Sequence, residues 1–187
     1  MDVQTEWQPF FLNHNTPEAG EDMFEHLAQK YGRARAVQFT TPGNPLETAG
    51  QAVGITFNKD RRVIRTEASH RLVEWCKEVD PSKEDKLMDA LFKAYFTDAK
   101  DLSKYSELVS CAVESGLEGA SAMQMLDSER FRSEVTEKAT SWSRRGVNGV
   151  PFFVIHTAGG AGQPVAFSGA QPPELIAEVL REQAAEA

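Results

Sequence analysis

The stretch Gly146-Val147-Asn148-Gly149-Val150-Pro151-Phe152-Phe153-Val154-Ile155 constrains this 187-residue chain more than any other. A helical pattern closes before it, at Trp142 and Gly146. Gly149 frees the backbone for a tight turn. Pro151 follows, and then four apolar residues in a row. Proline has no N–H to give to a sheet ladder, so it is tolerated at the first residue of a strand and rarely later. The Phe, Val and Ile after it read as a strand buried on both faces. The chain therefore passes from a helix, through a glycine turn and the Val150–Pro151 bond, into a strand. The residues leave the isomer of that bond open. On frequency alone trans is favoured, since cis accounts for about one X–Pro bond in twenty in folded proteins.

The flanking pattern gives the fold class. Val3, Thr5 and Trp7 alternate with Gln4 and Glu6, which predicts a short strand with one buried face, ended by Pro9. Phe24, Leu27, Ala28 and Tyr31 lie at helical spacing, and Gly32 is placed to stop that helix. Asn44, Pro45 and Glu47 announce a second, short helix as N-cap, first-turn proline and capping acid. Asn58 to Arg62 reads as a polar loop whose small basic run is solvated. Residues 66–142 read as helices only. One is capped by Thr66, one follows Asp80-Pro81, one is capped by Ser103 and stopped by Gly116, and one starts at Asp127 or Ser128. Leu87, Leu91 and Tyr95 with Met88, Phe92 and Phe96 form the broadest apolar face in the chain. Beyond Ile155 a glycine-rich connection, residues 157–163, leads to a second strand, Val165 to Phe167, which pairs with the first as an antiparallel hairpin. Pro172-Pro173 then opens a terminal helix with Leu175, Ile176, Val179 and Leu180 inside. The order strand, helices, helical block, hairpin, helix is α/β with an all-helical insertion.

Charge and composition exclude several function classes. Twenty Lys and Arg against 28 Asp and Glu give a net charge of −8, which argues against nucleic acid and anionic membrane as partners. No apolar run approaches the length of a membrane span, and the N-terminus has neither a basic nor an apolar region of a secretory signal. The two cysteines, Cys76 and Cys111, belong to no C-x-x-C pair and to no Cys/His metal spacing. The reading is of a reduced, cytoplasmic protein without cofactor or metal. The glycines of 157–163 are not a phosphate loop, because no Lys-Ser/Thr follows and a strand, not a helix, comes next.

Five segments in order carry a family resemblance: Trp7-Gln8-Pro9-Phe10-Phe11-Leu12-Asn13, Ser69-His70-Arg71-Leu72, Leu91-Phe92-Lys93-Ala94-Tyr95-Phe96, Gly149 to Ile155, and Phe167-Ser168-Gly169-Ala170-Gln171-Pro172. They resemble the DsbA-like thioredoxin-fold oxidoreductases, in the branch that includes the FrnE-type proteins. The resemblance implies an incomplete thioredoxin fold. Residues 1–65 and 143–187 would form the thioredoxin-like domain and residues 66–142 its helical insertion. It also implies that Pro151 is cis and, with Val150, forms a platform for a thiol or peptide substrate. The family opens with a strand and a helix carrying C-x-x-C in its first turn; these 187 residues match neither, and start where the second strand is expected.

That departure decides the chemistry. Disulfide exchange needs an attacking thiolate and a resolving sulfur within bonding distance. Cys76 and Cys111 lie on apolar helix faces and read as buried structural thiols. His70 reads as a helix-packing residue, since it has no partner motif. No catalytic residue is assigned. The chain reads as an oxidoreductase relative that is inactive as it stands. Two alternatives are a non-catalytic binding module on the same scaffold, and a remnant of a kappa-type glutathione transferase or hydroxychromene-carboxylate isomerase relative, whose serine nucleophile would occupy the same missing helix.

Overall fold

A computed structural model describes residues 3–157 and 163–185. The residues divide into two compact units. One comprises Asn13–Glu137, the other Met1–Leu12 with Lys138–Ala187.

The first unit is helical. Helix α1 (Met23–Tyr31) is capped by Asp22, whose carboxylate accepts from the Glu25 amide, and ends at Gly32 with φ +85°. Helix α2 (Arg33–Thr40) packs against α1. It is absent from the sequence reading, because its composition gives no apolar stripe and only Ala36 is buried. Helix α3 (Pro45–Ala52) has the expected cap, with Asn44 accepting from the Glu47 amide at 3.1 Å.

Next comes α4 (Glu67–Val79), with a short 3-10 turn (Pro81–Lys83) leading into α5 (Glu84–Phe92). A five-residue π-helical segment, Lys93–Thr97, extends α5. Helices α6 (Tyr105–Glu114), α7 (Gly119–Leu126) and α8 (Arg132–Arg144) follow. Lys104, not Ser103, is the N-cap residue of α6, because Ser103 turns back onto the Asp101 carboxylate. The N-terminus of α8 lies beyond Asp127 and Ser128, and Phe131 just before it has φ +63°.

Helix α4 packs on α5, α6 and α7. Its buried stripe of Leu72, Trp75 and Cys76 meets Leu87, Leu91, Leu108, Ala112, Met125 and Leu126 in the core. Each large aliphatic side chain so buried contributes about 1.5–3 kcal/mol. The apolar face expected over α5 is narrower than its sequence: Leu87 and Leu91 are buried, while Phe92 remains 41% exposed. The buried carboxylates of this core share one lysine. Lys77 Nζ lies 3.0 Å from Glu74 and 3.5 Å from Glu84, and both carboxylates are nearly inaccessible.

Residues 13–65 lie in the same compact unit as the helical block. Backbone pairing explains it. Glu21 and Val63 exchange both amide bonds, at 2.8 and 3.0 Å, and the Asn58 amide donates to the Phe96 carbonyl at 2.7 Å. The Tyr95 hydroxyl donates to the Arg62 carbonyl at 2.8 Å, and Arg65 Nε reaches the Thr16 carbonyl at 2.6 Å.

The second unit contains the hairpin. Strand β1 (Phe152–Ile155) pairs antiparallel with β2 (Val165–Ser168), and α9 (Pro173–Ala185) follows. The strand expected at Val3 to Trp7 does not form: residues 3–10 have no assigned strand. A strand exists through its ladder, and the described sheet consists of β1 and β2 alone. For the same reason β1 is not buried on both faces, and Val154 is 40% exposed. Leu175, expected inside α9, is 41% exposed. The glycine-rich connection predicted for 157–163 falls largely outside the described residues. Among the described residues no helix is long and apolar enough to cross a membrane. The architecture is mostly helical with a small two-stranded sheet, an incomplete thioredoxin fold bearing a helical insertion.

Candidate functional site

Helix α8 ends in a turn that aims the chain into β1. The Gly146 backbone, at φ +89°, takes a conformation that side-chained residues rarely adopt. The Val147 amide then donates back to the Trp142 carbonyl at 3.2 Å, and Gly146 to Ser143 at 3.1 Å, the pattern that closes a helix C-terminus. Val147 is buried at 5% exposure and pins the turn. Asn148 and Gly149 lead from there to the Val150–Pro151 peptide, which is cis, as the family resemblance implies.

The register of the hairpin defines what Val150 and Pro151 present. Phe153 faces Phe167 and Ile155 faces Val165. The Pro151 carbonyl accepts from the Gly169 amide at 2.9 Å, continuing the register by one further pair. In an antiparallel ladder, hydrogen-bonded pairs alternate with non-bonded ones. Residues 151, 153 and 155 therefore spend their backbone groups on β2. The N–H and C=O groups of Phe152 and Val154 point to the other, open edge. Phe153 and Phe167 stack across the hairpin with centroids 5.2 Å apart. Val150 stands just before the first bonded pair and is 53% exposed.

Val150 and Pro151 line a recess of about 360 Å³ with Gly146, Asn148, Gly149 and Phe152 on one side and Ser168 and Gly169 on the other. None of these side chains titrates near neutrality. Among the described residues the recess is lined by no thiol, general base or general acid, and these residues offer shape, backbone and the polar tips of Asn148 and Ser168.

The cysteines lie in the other unit. Cys76 sits on α4, with its thiol 3.5 Å from the Asp80 carbonyl. Burial, aided by the carboxylates of Glu84 and Asp80, pushes its pKa up to about 11. Cys111 on α6, 3.8 Å from the Ala90 carbonyl, is pushed up to about 11 by burial and by Glu114 and Glu107. Both are free and buried. A thiol at that pKa is about one-thousandth thiolate at pH 8. Among the described residues no group of three or more His, Cys, Asp or Glu is placed to hold a metal ion.

His70 is half-buried on α4, beside a residue the sequence reading passed over. Arg71 is fully buried. Its guanidinium donates to the carbonyls of Arg130 at 2.8 Å, Met125 at 3.1 Å and Leu126 at 3.4 Å, and also to that of Ser128. These carbonyls lie at the end of α7, where the last turn leaves them without intrahelical partners, and in the loop toward α8; that of Met125 also accepts from the Ser128 amide and hydroxyl. The sequence signal was its place within the apolar stripe of Ala68, Leu72 and Trp75, where a surface arginine does not belong. A larger cavity, about 600 Å³, opens between Trp75, Lys83, Glu118, Met125 and Arg130. Its charges are already matched: Lys83 to Asp80, Arg130 to Glu78, and Glu118 to the first amides of α7.

Comparison with known proteins agrees with this geometry. Residues 1–181 match the DSBA-like thioredoxin domain family. The structure is similar to a probable DsbA oxidoreductase from Streptomyces coelicolor, with 26% sequence identity and a TM-score of 0.79 over 94% of this chain and 73% of that one. It is also similar in fold to a proposed protein disulfide isomerase from Nitrosomonas europaea, with 15% identity and a TM-score of 0.67 over 87% and 88% of the two chains. No curated protein matches the chain. With a helix-to-strand turn bearing a cis Val150–Pro151 peptide, a β1–β2 hairpin and a family match spanning nearly its whole length, the chain belongs to the DSBA-like thioredoxin domain family.

Proposed function

We propose that this chain is a FrnE-type, DsbA-like scaffold that binds a thiol or peptide segment at Val150 and Pro151 and does not itself turn over disulfides. The observation that carries the reading is the composition of the recess beside Val150: an exposed backbone at the end of a ladder, with no reactive side chain around it. An extended peptide laid along that backbone would pair by β-augmentation, using groups that β2 does not occupy. The two thiols of the sequence support the second half of the reading, since both are buried and hard to ionise. The FrnE-type assignment rests on the five segments quoted above. The cytoplasmic placement rests on two cysteines that remain reduced.

The test is an amide chemical-shift titration of the isotopically labelled chain with a reduced cysteine-containing peptide. The expected result is saturable shifts at Val150 and Phe152, with Cys76 and Cys111 unmoved. A peptide that leaves Val150 unperturbed at millimolar concentration overturns the binding half of the proposal.

A further inference from the structure

The basic run between Asn58 and Arg65 is exposed at Lys59, Arg62 and Arg65, as the sequence reads it, and is also anchored to the fold. It carries Lys59, Arg61, Arg62 and Arg65 against the single acid Asp60, inside a chain with 20 cationic and 28 acidic residues. Elsewhere in the same unit Lys77, Lys83, Lys93, Lys104, Arg130 and Arg132 each reach a carboxylate. Among the described residues, none of the four cations of the run does. Asp101 is near enough to Arg62 to feel its charge, but its carboxylate is already bonded to Ser103 and lies 3.7 Å from Lys104.

These arginines are nevertheless held in place. Arg61 donates to the Asn58 carbonyl at 2.8 Å, Arg62 to Ala19 at 3.1 Å and Arg65 to Thr16 at 2.6 Å. The Arg61 guanidinium also lies over two rings, 5.8 Å from Phe57 and 5.6 Å from Phe96. A guanidinium has five N–H donors, and each carbonyl bond uses one of them. Rotamer entropy that a binding partner would otherwise have to overcome is already spent in the fold. Phe96, under Arg61, is in tilted contact with Phe92 at 5.9 Å, and Phe92 as a residue is 41% exposed.

We propose that Lys59, Arg61, Arg62 and Arg65 form a preorganised docking strip for an acidic, extended polypeptide segment that also carries an apolar side chain for Phe92. The charge balance selects the partner class. A net charge of −8 repels long polyanions and anionic bilayers at a distance, whereas a short segment with a few carboxylates meets a local excess of cations. The aromatic floor gives such a segment apolar area that a phosphate backbone would not use. Bidentate arginine–carboxylate pairing supplies direction.

The test is fluorescence anisotropy with a fluorescein-labelled peptide of alternating glutamate and glycine carrying one central phenylalanine. It is titrated at low and at physiological ionic strength. Saturable binding that weakens with salt is expected. Lys59→Gln, which removes no contact of the fold, and Arg62→Gln together weaken binding about tenfold. Arg145→Gln, a cation in the other unit, leaves it within about twofold. The far-UV melting profile of Lys59→Gln stays that of the parent chain, which separates lost binding from lost fold. No binding, or binding indifferent to Lys59 and Arg62, overturns the proposal. So does tighter binding to oligothymidylate or to phosphatidylserine vesicles than to the peptide.

Discussion

Replacing Arg71 with methionine tests the claim that one buried cation fastens α4 to the end of α7. The substitution keeps volume and an unbranched stem and removes every donor. It removes the bonds to the Arg130 and Met125 carbonyls, now 2.8 and 3.1 Å long; the Met125 carbonyl keeps the amide and hydroxyl of Ser128 as donors. A hydrogen bond from a charged donor contributes about 1.5–3 kcal/mol net, so two well-formed ones give about 3–6 kcal/mol. Against this, the guanidinium is buried with carbonyls and no carboxylate, and removing it relieves part of a desolvation penalty. The expected net loss is about 3 kcal/mol. For a chain of this length that corresponds to a fall in Tm of about 6–12 °C. Urea denaturation followed by far-UV circular dichroism reads it as a lower midpoint at unchanged slope. Arg71→Lys, which retains the charge but reaches fewer carbonyls, should fall between the two. An Arg71→Met variant within about 0.5 kcal/mol of the parent, or more stable than it, refutes the reasoning, because the desolvation cost would then equal or exceed the capping.

Two further predictions follow from the same packing. Gly50→Ala, which in an ordinary helix adds about 1 kcal/mol of stability, should instead destabilise by about 1–3 kcal/mol in the same urea assay, because the new Cβ meets a Phe57 ring carbon at 2.7 Å and the Ile55 carbonyl at 2.8 Å. The thiols set an alkaline limit. Their pKa values rise from 9.0 unfolded to about 11 folded, so the folded chain holds its thiol protons longer. Their contribution is present below pH 9 and lost as pH rises through 11, about 2–3 kcal/mol per thiol; Cys76→Ala with Cys111→Ala should flatten that part of the stability profile, and an unchanged profile contradicts the assignment.

What could be read from the sequence was what local chemistry fixes. Asn44 with Pro45 and Glu47 specifies a helix start by hydrogen bonding alone, and the structure places α3 there. Pro151 before an apolar run specifies a strand start, and β1 begins at the next residue. The failures are tertiary. Val3 to Trp7 has the alternation of a strand, but alternation supplies one face and no ladder, and among the described residues no strand pairs with it. Helix α2 lacks a stripe because it packs on α1 with little burial. Arg71 was legible only as part of a motif on an apolar stripe, because the carbonyls that hold it, at the end of α7 and in the loop beyond, are distant in sequence. At the candidate site, Val150 and Pro151 were legible as a motif. The recess around them was not, because Ser168 and Gly169 reach it through the hairpin register.

The central claim is that this DsbA-like chain keeps a binding turn without a usable dithiol. Turbidimetric insulin reduction in the presence of dithiothreitol tests it most directly. The account predicts a rate indistinguishable from dithiothreitol alone, for the parent chain and for Cys76→Ala with Cys111→Ala alike. Acceleration comparable to that of a DsbA-like oxidoreductase bearing C-x-x-C, abolished by those two substitutions, would contradict it.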